Sequence, residues 1–259
     1  MNGIRKTTSI NSSFFKKVLY EALANQLKED ITSEDLPCGD NSFFRQLDFI
    51  VATIANEEFK KLYDIQDVDL YAKLKNAIFS RYRTFAEICG MLLVERAVSK
   101  HMNVLVETSG RDIAMFEYID FLFPDDKYNK LVVHFTIDDI RFAEKSVDTR
   151  MLYEMKSGIE DLDNGGGVLD LIKANAGGPY GSKELKGVLD QSEAVLRSVL
   201  SGTTDIGKSW YKAEIAINGS DDEPWTIRAK ANGSTQYTFK SSIVFAGGGR
   251  ADIRREVKY

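Results

Sequence analysis

The residues best suited to chemistry lie in the segment Glu107-Thr108-Ser109-Gly110-Arg111-Asp112. The apolar run before it, Asn103 to Val106, predicts a buried parallel strand, since a strand covered on both faces is continuously apolar. Groups that follow such strands line the ligand sites of open α/β sheets. We therefore expect Glu107, Ser109, Arg111 and Asp112 at a site where Arg111 binds a phosphate or carboxylate through two charge-assisted hydrogen bonds. The alternative is that Glu107 and Arg111 pair with each other or cap the next helix.

A second candidate group follows the run Lys130 to Ile137, which predicts another strand. Asp138 and Asp139 come directly after this run, where carboxylates can position a base or a magnesium ion. Capping of the next helix is the alternative role for these acidic positions. The helix predicted to follow carries Arg141 and Arg150. Strand, helix, strand and helix in this order predict a βαβ unit over residues 103–137 with a helix after it.

A complete phosphate-loop pattern occurs at Gly202-Thr203-Thr204-Asp205-Ile206-Gly207-Lys208-Ser209. Gly202, Gly207, Lys208 and Ser209 are the cofactor-binding candidates in this pattern. A working loop follows a strand and opens a helix, so that backbone N–H groups converge on the phosphates. Here residues 192–200 predict a helix and residues 210–217 predict a strand, so both flanks are reversed. The alternative to a nucleotide site is a Gly-rich connection from a helix to a strand.

The elements that must position these residues begin with a helical N-terminal part. The predicted helices run from Ser12 or Ser13 to about Lys28, from Asp40 or Asn41 onward, and from near Asp67 towards Ser99. The last of them carries an apolar stripe at helical spacing: Phe85, Ile88, Cys89, Leu92 and Leu93. This stripe predicts a helix face that packs on a sheet.

The C-terminal part begins with glycine-rich segments and a helix at 182–200. Three antiparallel strands are predicted after it, at 210–217, 225–231 and 236–245, with the turn signals Asn218-Gly219 and Asn232-Gly233 between them. The aromatic side chains of these strands can offer a surface to a protein partner, and the alternative is that they form the core of the sheet. The fold class predicted is α/β, with a partly parallel sheet, a helical N-terminal part and a C-terminal antiparallel β extension. We predict two parts, residues 1–160 and residues 161–259.

Composition excludes several classes of function. The 259 residues include 34 basic and 39 acidic side chains, a net charge of −5, which argues against a nucleic-acid-binding face. Two cysteines and two histidines are too few and too scattered for a disulfide framework, a zinc site or a histidine-based triad. Any catalysis must therefore rest on carboxylates, arginines, lysines and backbone amides, and we predict no structural metal.

Localisation is predicted from what the sequence lacks. No apolar run approaches the length of a membrane span, and no signal-peptide core follows Met1. We therefore expect a cytoplasmic protein. The first twenty residues are basic, rich in Ser and Thr and free of acids, which also fits an organelle transit peptide. A basic arm leading into the first helix is the alternative.

Residues 80–155 resemble the middle of a zeta-toxin-like kinase of the P-loop nucleoside-triphosphatase superfamily. The resemblance lies in Arg83-Thr84-Phe85 leading into a long helix, the strand-like run ending in Glu107 to Asp112, and a later strand followed by an arginine-bearing helix. That family's strand ends in a Glu-x-Thr-x-Arg pattern, which Glu107, Ser109 (by its hydroxyl) and Arg111 match. The family's phosphate loop should precede this unit, and residues 1–100 contain no complete one.

The resemblance implies a P-loop-kinase-like core and transfer of the γ-phosphoryl group of ATP or GTP, with Mg²⁺, to a small hydroxylated acceptor. Glu107, Ser109 and Arg141 would bind substrate. Arg111 and Arg150 would stabilise phosphoryl charge, and Asp138 would be the catalytic carboxylate. The alternative is a non-catalytic relative of such kinases that serves as a scaffold or interaction subunit.

Overall fold

The structure is a computed structural model that describes residues 10, 15–36, 46–137, 139–167, 178–201, 204–206, 209–218, 225–230, 234–245 and 253–258. The chain divides into two compact units that interleave along the sequence. The first contains residues 1–3, 41–128 and 143–208, and the second contains residues 4–40, 129–142 and 209–259. The predicted division into residues 1–160 and residues 161–259 stays a prediction.

Helices dominate the described chain, and the predicted mixture of helix and strand is confirmed. The helices are α1 Phe15–Leu23, α2 Gln46–Ile54, α3 Asn56–Lys60, α4 Val68–Ser99, α5 Ile113–Leu122, α6 Ile140–Asp163 and α7 Ser182–Leu200. The strands are β1 Leu131–Ile137, β2 Tyr211–Asn218, β3 Trp225–Lys230, β4 Ser234–Phe245 and β5 Ile253–Lys258.

Local side chains set the starts of the helices that matter for the site. The carboxylate of Asp67 accepts a hydrogen bond from the backbone N–H of Leu70 at 3.0 Å and so caps α4. Asp112 caps α5 in the same manner, through the backbone N–H of Ala114 at 3.0 Å. Such caps satisfy N–H groups that have no partner inside the helix. They therefore fix where α4 and α5 begin.

The core of the first unit is built by α2, α3, the first half of α4, and α6. Its buried members are Val51, Ala52, Ala55, Phe59, Leu62, Tyr63, Tyr71, Ala72, Ile78, Phe79, Ala86, Met151 and Met155. The rings of Phe59 and Phe79 meet edge to face, with their centroids 6.0 Å apart. This core holds α4 against α6, the two helices that supply the buried charges of the site described below.

The apolar stripe of α4 does not pack on a sheet, so that prediction is wrong. Phe85, Ile88, Leu92 and Leu93 are exposed by 54%, 51%, 60% and 41%. The buried residues of this half of the helix are Ala86 and Val94. The second half of α4 therefore packs on the rest of the unit through Ala86 and Val94, while its most apolar face is exposed to water.

The strand predicted at residues 103–107 is also wrong. Residues 102–112 form neither helix nor strand, and Leu105 is 37% exposed. A continuously apolar parallel strand needs cover on both faces, and this run lacks it. The predicted βαβ unit over residues 103–137 is therefore absent, because its first strand does not form.

The sheet instead pairs β1 with a strand from much later in the chain. Its order is β1-β2-β3-β4-β5. β1 and β2 are parallel, with Leu131 opposite Tyr211 and Ile137 opposite Ile217. Each later neighbour in the sheet is antiparallel. Because β2 to β5 continue the sheet that begins at β1, a separate C-terminal extension stays a prediction; the predicted turns at Gly219 and at Asn232-Gly233 lie outside the described residues.

The second unit packs α1 on this sheet. α1 lies within the first predicted helix, and it buries one apolar face: Phe15, Val18, Leu19, Ala22 and Leu23. Phe15 stacks on Phe135 of β1, with ring centroids 6.1 Å apart. The side-chain amide of Gln26 bonds the backbone of Lys212 twice, at 2.6 and 2.8 Å, and so stands in for a strand neighbour at the start of β2.

No helix among the described residues is long and apolar enough to cross a bilayer.

Candidate functional site

Two arginines predicted to stabilise phosphate charge come to one loop in the first unit. The guanidinium carbon of Arg111 lies 4.8 Å from the ring centroid of Tyr180. Arg150 Nη2 donates a hydrogen bond of 2.7 Å to the carbonyl oxygen of Gly178. Gly178 and Tyr180 are two residues apart, so the two cationic groups share one short loop. We call Arg111, Arg150 and residues 178–180 the arginine corner.

The contact of Arg111 with the face of the Tyr180 ring does not require its N–H donors. A guanidinium over an aromatic ring uses its flat face, whereas its N–H donors point outward in the plane. Among the residues that the structure describes, no carboxylate pairs with Arg111. Both predicted alternatives for Arg111 therefore fail in this part of the chain: it does not pair with Glu107, and Asp112, not Arg111, caps α5. The N–H donors of Arg111 can therefore bind the oxygens of an anion.

A third arginine borders the corner. Arg83 of α4 is hydrogen-bonded to Glu87 at 2.5 Å and lies 4.0 Å from the carboxylate of Asp112. The hydrogen bond to Glu87 holds the pKa of Arg83 above its usual value, and the proximity of Tyr180 and Asp112 adds to the effect. Arg83 therefore carries a permanent positive charge beside Tyr180, although nearby acids partly neutralise it.

Beneath Arg150 lies a buried charged cluster centred on Glu154. Oε2 of Glu154 accepts a hydrogen bond from Lys75 Nζ at 2.5 Å and one from the hydroxyl of Tyr71 at 3.3 Å. Oε1 of Glu154 lies 3.5 Å from Nε of Arg150, one turn earlier on α6. Burial, and then the charge of Glu154, raise the pKa of Tyr71 far above its usual range. Two cations, Lys75 and Arg150, thus share the carboxylate of Glu154.

The cluster fixes the orientation of Arg150. Lys75 is fully buried and Glu154 is 4% exposed, so neither can move without exposing the core or losing its partner. Glu154 attracts the guanidinium of Arg150 from one side, with Oε1 3.5 Å from Nε and no hydrogen bond between them, and the Gly178 carbonyl accepts a hydrogen bond from Nη2. Because buried charges are costly unless paired, Lys75 and Glu154 favour staying paired. Arg150 is therefore a positioned cation.

The N-terminus of α7 follows the arginine corner, but it is already occupied. The backbone N–H of Ser182 donates to the carboxylate of Asp148 at 3.1 Å. Gly181, the residue before α7, is packed so closely that an added Cβ would lie 2.8 Å from Cβ of Ala72. A carboxylate thus takes the place where a phosphate would bind a helix end. Phosphate recognition at this corner must come from the arginine side chains.

Glu107 and Ser109 belong to the same irregular segment as Arg111. Glu107 is exposed and Ser109 is half-buried. Gly110 separates them from Arg111 and adopts a φ of +69°, a conformation that favours glycine. Its N–H donates to the hydroxyl of Thr108 at 3.1 Å. The segment therefore turns sharply just before Arg111.

Of the remaining predicted site residues, none is placed at the arginine corner by the part of the chain that the structure describes. Arg141 is exposed, and it lies nine residues before Arg150 on α6. At 3.6 residues per turn, that spacing places the two side chains on opposite sides of the helix. Asp138 lies outside the described residues. Its neighbour Asp139 accepts a hydrogen bond from the backbone N–H of Arg141 at 2.9 Å and thereby caps α6.

The phosphate-loop pattern is described only in part. Gly202, Gly207 and Lys208 lie outside the described residues, and Ser209 is exposed. The order of its flanking elements is confirmed as predicted: α7 ends at Leu200 before it, and β2 begins at Tyr211 after it. A helix before and a strand after are the reverse of what a phosphate loop needs.

Sequence reasoning missed three residues of the site: Lys75, Glu154 and Tyr180. A signal for Lys75 existed, because Tyr71, Lys75, Ile78 and Phe79 share one helix face, and a lysine on an apolar face predicts a buried partner. Glu154 had no comparable signal, since its partner lies on another helix. Tyr180 lay in a glycine-rich segment that reads as a surface loop.

Among the described residues, no three histidine, cysteine or acidic side chains come together as a metal site. The donors at the corner are guanidinium groups, which suit phosphate oxygens and not a metal ion. Magnesium therefore finds no dedicated set of ligands in this part of the chain.

No family model matches the chain, and neither a curated protein nor a solved structure does. The resemblance to zeta-toxin-like kinases therefore remains a prediction.

Proposed function

We propose that this protein binds a nucleotide, ATP or GTP with Mg²⁺, through its phosphates at the arginine corner. One observation carries the proposal: Arg111 and Arg150, distant in sequence, meet one loop, and Arg111 keeps its N–H edge without a carboxylate partner in the described chain. A guanidinium edge binds two phosphate oxygens at once. The buried Lys75–Glu154 pair supports the proposal by fixing Arg150.

As a kinase-like phosphotransferase, the protein would pass a phosphoryl group to a small hydroxylated acceptor. Arg111 and Arg150 would offset the charge that develops on the transferring group. Ser109 and Glu107, in the segment that leads to Arg111, are the proposed contacts of the acceptor. The proposed core remains a P-loop-kinase-like fold, and a protein partner at the C-terminal strands remains part of the proposal.

The experiment is titration calorimetry of the full chain with Mg-ATP, Mg-ADP and inorganic phosphate. Arg111→Ala should weaken Mg-ATP binding by roughly tenfold or more, since a hydrogen bond to a charged group contributes ~1.5–3 kcal/mol. Arg197→Ala, an exposed arginine on α7, is the matched control and should leave affinity unchanged. Absence of Mg-ATP binding at millimolar concentration would overturn the proposal.

A Lys208→Ala variant separates the two candidate phosphate sites. If nucleotide binds at the arginine corner, Lys208→Ala should bind as tightly as the wild type. Loss of binding on Lys208→Ala, with Arg111→Ala unaffected, would move the site to residues 202–209 and would contradict the proposal.

The second candidate is a non-catalytic, kinase-like scaffold. The reversed order of helix and strand around residues 202–209 favours it, because a kinase without that loop lacks its main cradle for the β- and γ-phosphates. Formation of ADP from Mg-ATP distinguishes the two. Binding without ADP formation supports the scaffold, and turnover lost on Arg111→Ala supports the enzyme.

A further inference from the structure

The second half of α4 presents an apolar surface that the proposed nucleotide site does not use. Phe85, Ile88 and Leu92 are exposed by 54%, 51% and 60%. Their spacings of three and four residues place them in one line along the helix, as in the seam of a coiled coil. We call Arg81, Phe85, Ile88, Leu92 and Glu95 the α4 seam.

The seam faces away from the core of the unit. Ala86 and Val94, the buried residues of this half of α4, lie about 180° around the helix from the centre of the seam at 100° per residue. The packing of Ala86 and Val94 holds the helix on that side, while the apolar side chains of the seam are exposed. Single exposed apolar side chains are ordinary, but large ones at three successive seam positions mark an interaction surface.

The charges at the two ends of the seam identify the partner. Arg81 lies seven residues before Ile88, and Glu95 lies seven residues after it. Residues seven apart occupy the same side of a helix. An antiparallel pairing of two seams about a two-fold axis at Ile88 brings Arg81 of each copy beside Glu95 of the other. A parallel pairing would place like charges together.

We propose that this chain forms a two-fold symmetric dimer through antiparallel pairing of the α4 seam. Phe85, Ile88 and Leu92 would be buried between the copies, and the two Arg81–Glu95 pairs would close the ends. A two-fold interface must be self-complementary, and a seam whose end charges are opposite and equidistant from its centre meets that condition.

Arg81 can keep its ion pair with Glu58 of its own copy and also pair with Glu95 of the second copy. Its Nη1 is 2.6 Å from Oε2 of Glu58, yet the side chain is 60% exposed, so N–H donors on its other edge face water. Glu95 is exposed. The end pairs therefore require no rearrangement of the described chain.

The first experiment is sedimentation equilibrium of the full chain, without nucleotide, over a range of concentrations. The wild type should be a dimer, and Ile88→Asp should be a monomer, since it places a charge at the symmetry axis. Leu152→Asp, on α6 and 50% exposed, is the matched control and should remain a dimer. Circular dichroism should show unchanged helix content in both variants, because Ile88 and Leu152 are both exposed.

The second experiment exchanges the end charges. Arg81→Glu and Glu95→Arg should each weaken self-association, because each homodimer then opposes like charges. An equal mixture of the two variants should recover a dimer, since a mixed pair has opposite charges at both ends. A wild-type monomer at every concentration would overturn the proposal. A dimer unaffected by Ile88→Asp, or a mixture that fails to recover association, would also overturn it.

Discussion

Lys75 of α4 and Glu154 of α6 form an ion pair removed from solvent, with Nζ 2.5 Å from Oε2. The pair joins two helices across the core of the first unit, and Glu154 also holds Arg150 of the arginine corner. Local stability and the proposed phosphate site thus depend on one carboxylate.

Glu154→Gln should strongly destabilise the first unit. Removing the charge breaks the buried ion pair and leaves the Lys75 ammonium opposite a neutral amide, which costs about 3–5 kcal/mol. Denaturant unfolding followed by circular dichroism measures the loss. The double substitution Lys75→Met with Glu154→Leu should recover most of it, because an apolar pair needs no desolvation of charge. The exposed Lys183–Asp69 pair gives the control: Lys183→Met should leave the free energy of unfolding nearly unchanged.

Tyr71 should make the protein less stable in alkali. Burial and Glu154 raise its folded-state pKa, so the folded chain keeps a proton that the unfolded chain releases above pH ~10. Stability from this group is full below that pH and falls by about 1.4 kcal/mol per pH unit above it. Tyr71→Phe should remove this slope in unfolding measured from pH 9 to 11, whereas Tyr153→Phe, at a position 39% exposed, should retain it. Equal slopes for the two variants would contradict the assignment.

Substitution by alanine at two helical glycines should change the stability of the protein in opposite directions. A Cβ at Gly158 of α6 would lie 2.5 Å from the ring of buried Tyr63, so Gly158→Ala should cost about 1–3 kcal/mol by overpacking. At Gly187 of α7, no atom lies within 4 Å of an added Cβ. Gly187→Ala should therefore raise stability by about 0.5–1 kcal/mol, because glycine loses more backbone entropy on folding. Thermal unfolding measures both variants. If both substitutions changed stability in the same direction, the packing at Gly158 would be misassigned.

Tyr180 should affect nucleotide affinity through its ring and not through its hydroxyl. Tyr180→Phe keeps a face for Arg111 and should bind Mg-ATP as the wild type does. Tyr180→Leu removes a cation–π contact of about 0.5–2 kcal/mol and should weaken binding by two- to thirtyfold. Titration calorimetry measures both, with the exposed Tyr118→Leu as the control. If Tyr180→Leu bound normally, Arg111 would not depend on this stack.

Features that depend on neighbouring residues were predictable from the sequence. Asp67 precedes α4 and caps it through the backbone N–H of Leu70, only three residues away. The residues that set the start of this helix are therefore close together in the sequence. The apolar face of α1 and the reversed order of elements around residues 202–209 follow from patterns of the same short range. Arg111 and Arg150 could be named as anion-binding candidates because their chemistry belongs to the residue type.

Features that depend on distant partners were decided only by the tertiary structure. A run such as 103–107 has strand composition, but it becomes a strand only when a neighbour supplies backbone hydrogen bonds, and β1 pairs with β2 instead. The stripe of α4 has the pattern of a core face, yet Ala86 and Val94 hold the helix and leave it exposed. Lys75, Glu154 and Arg150 likewise acquire their roles from each other. The sequence determined which groups the chain carries, and packing across the fold decided which of them are buried, paired or left facing water.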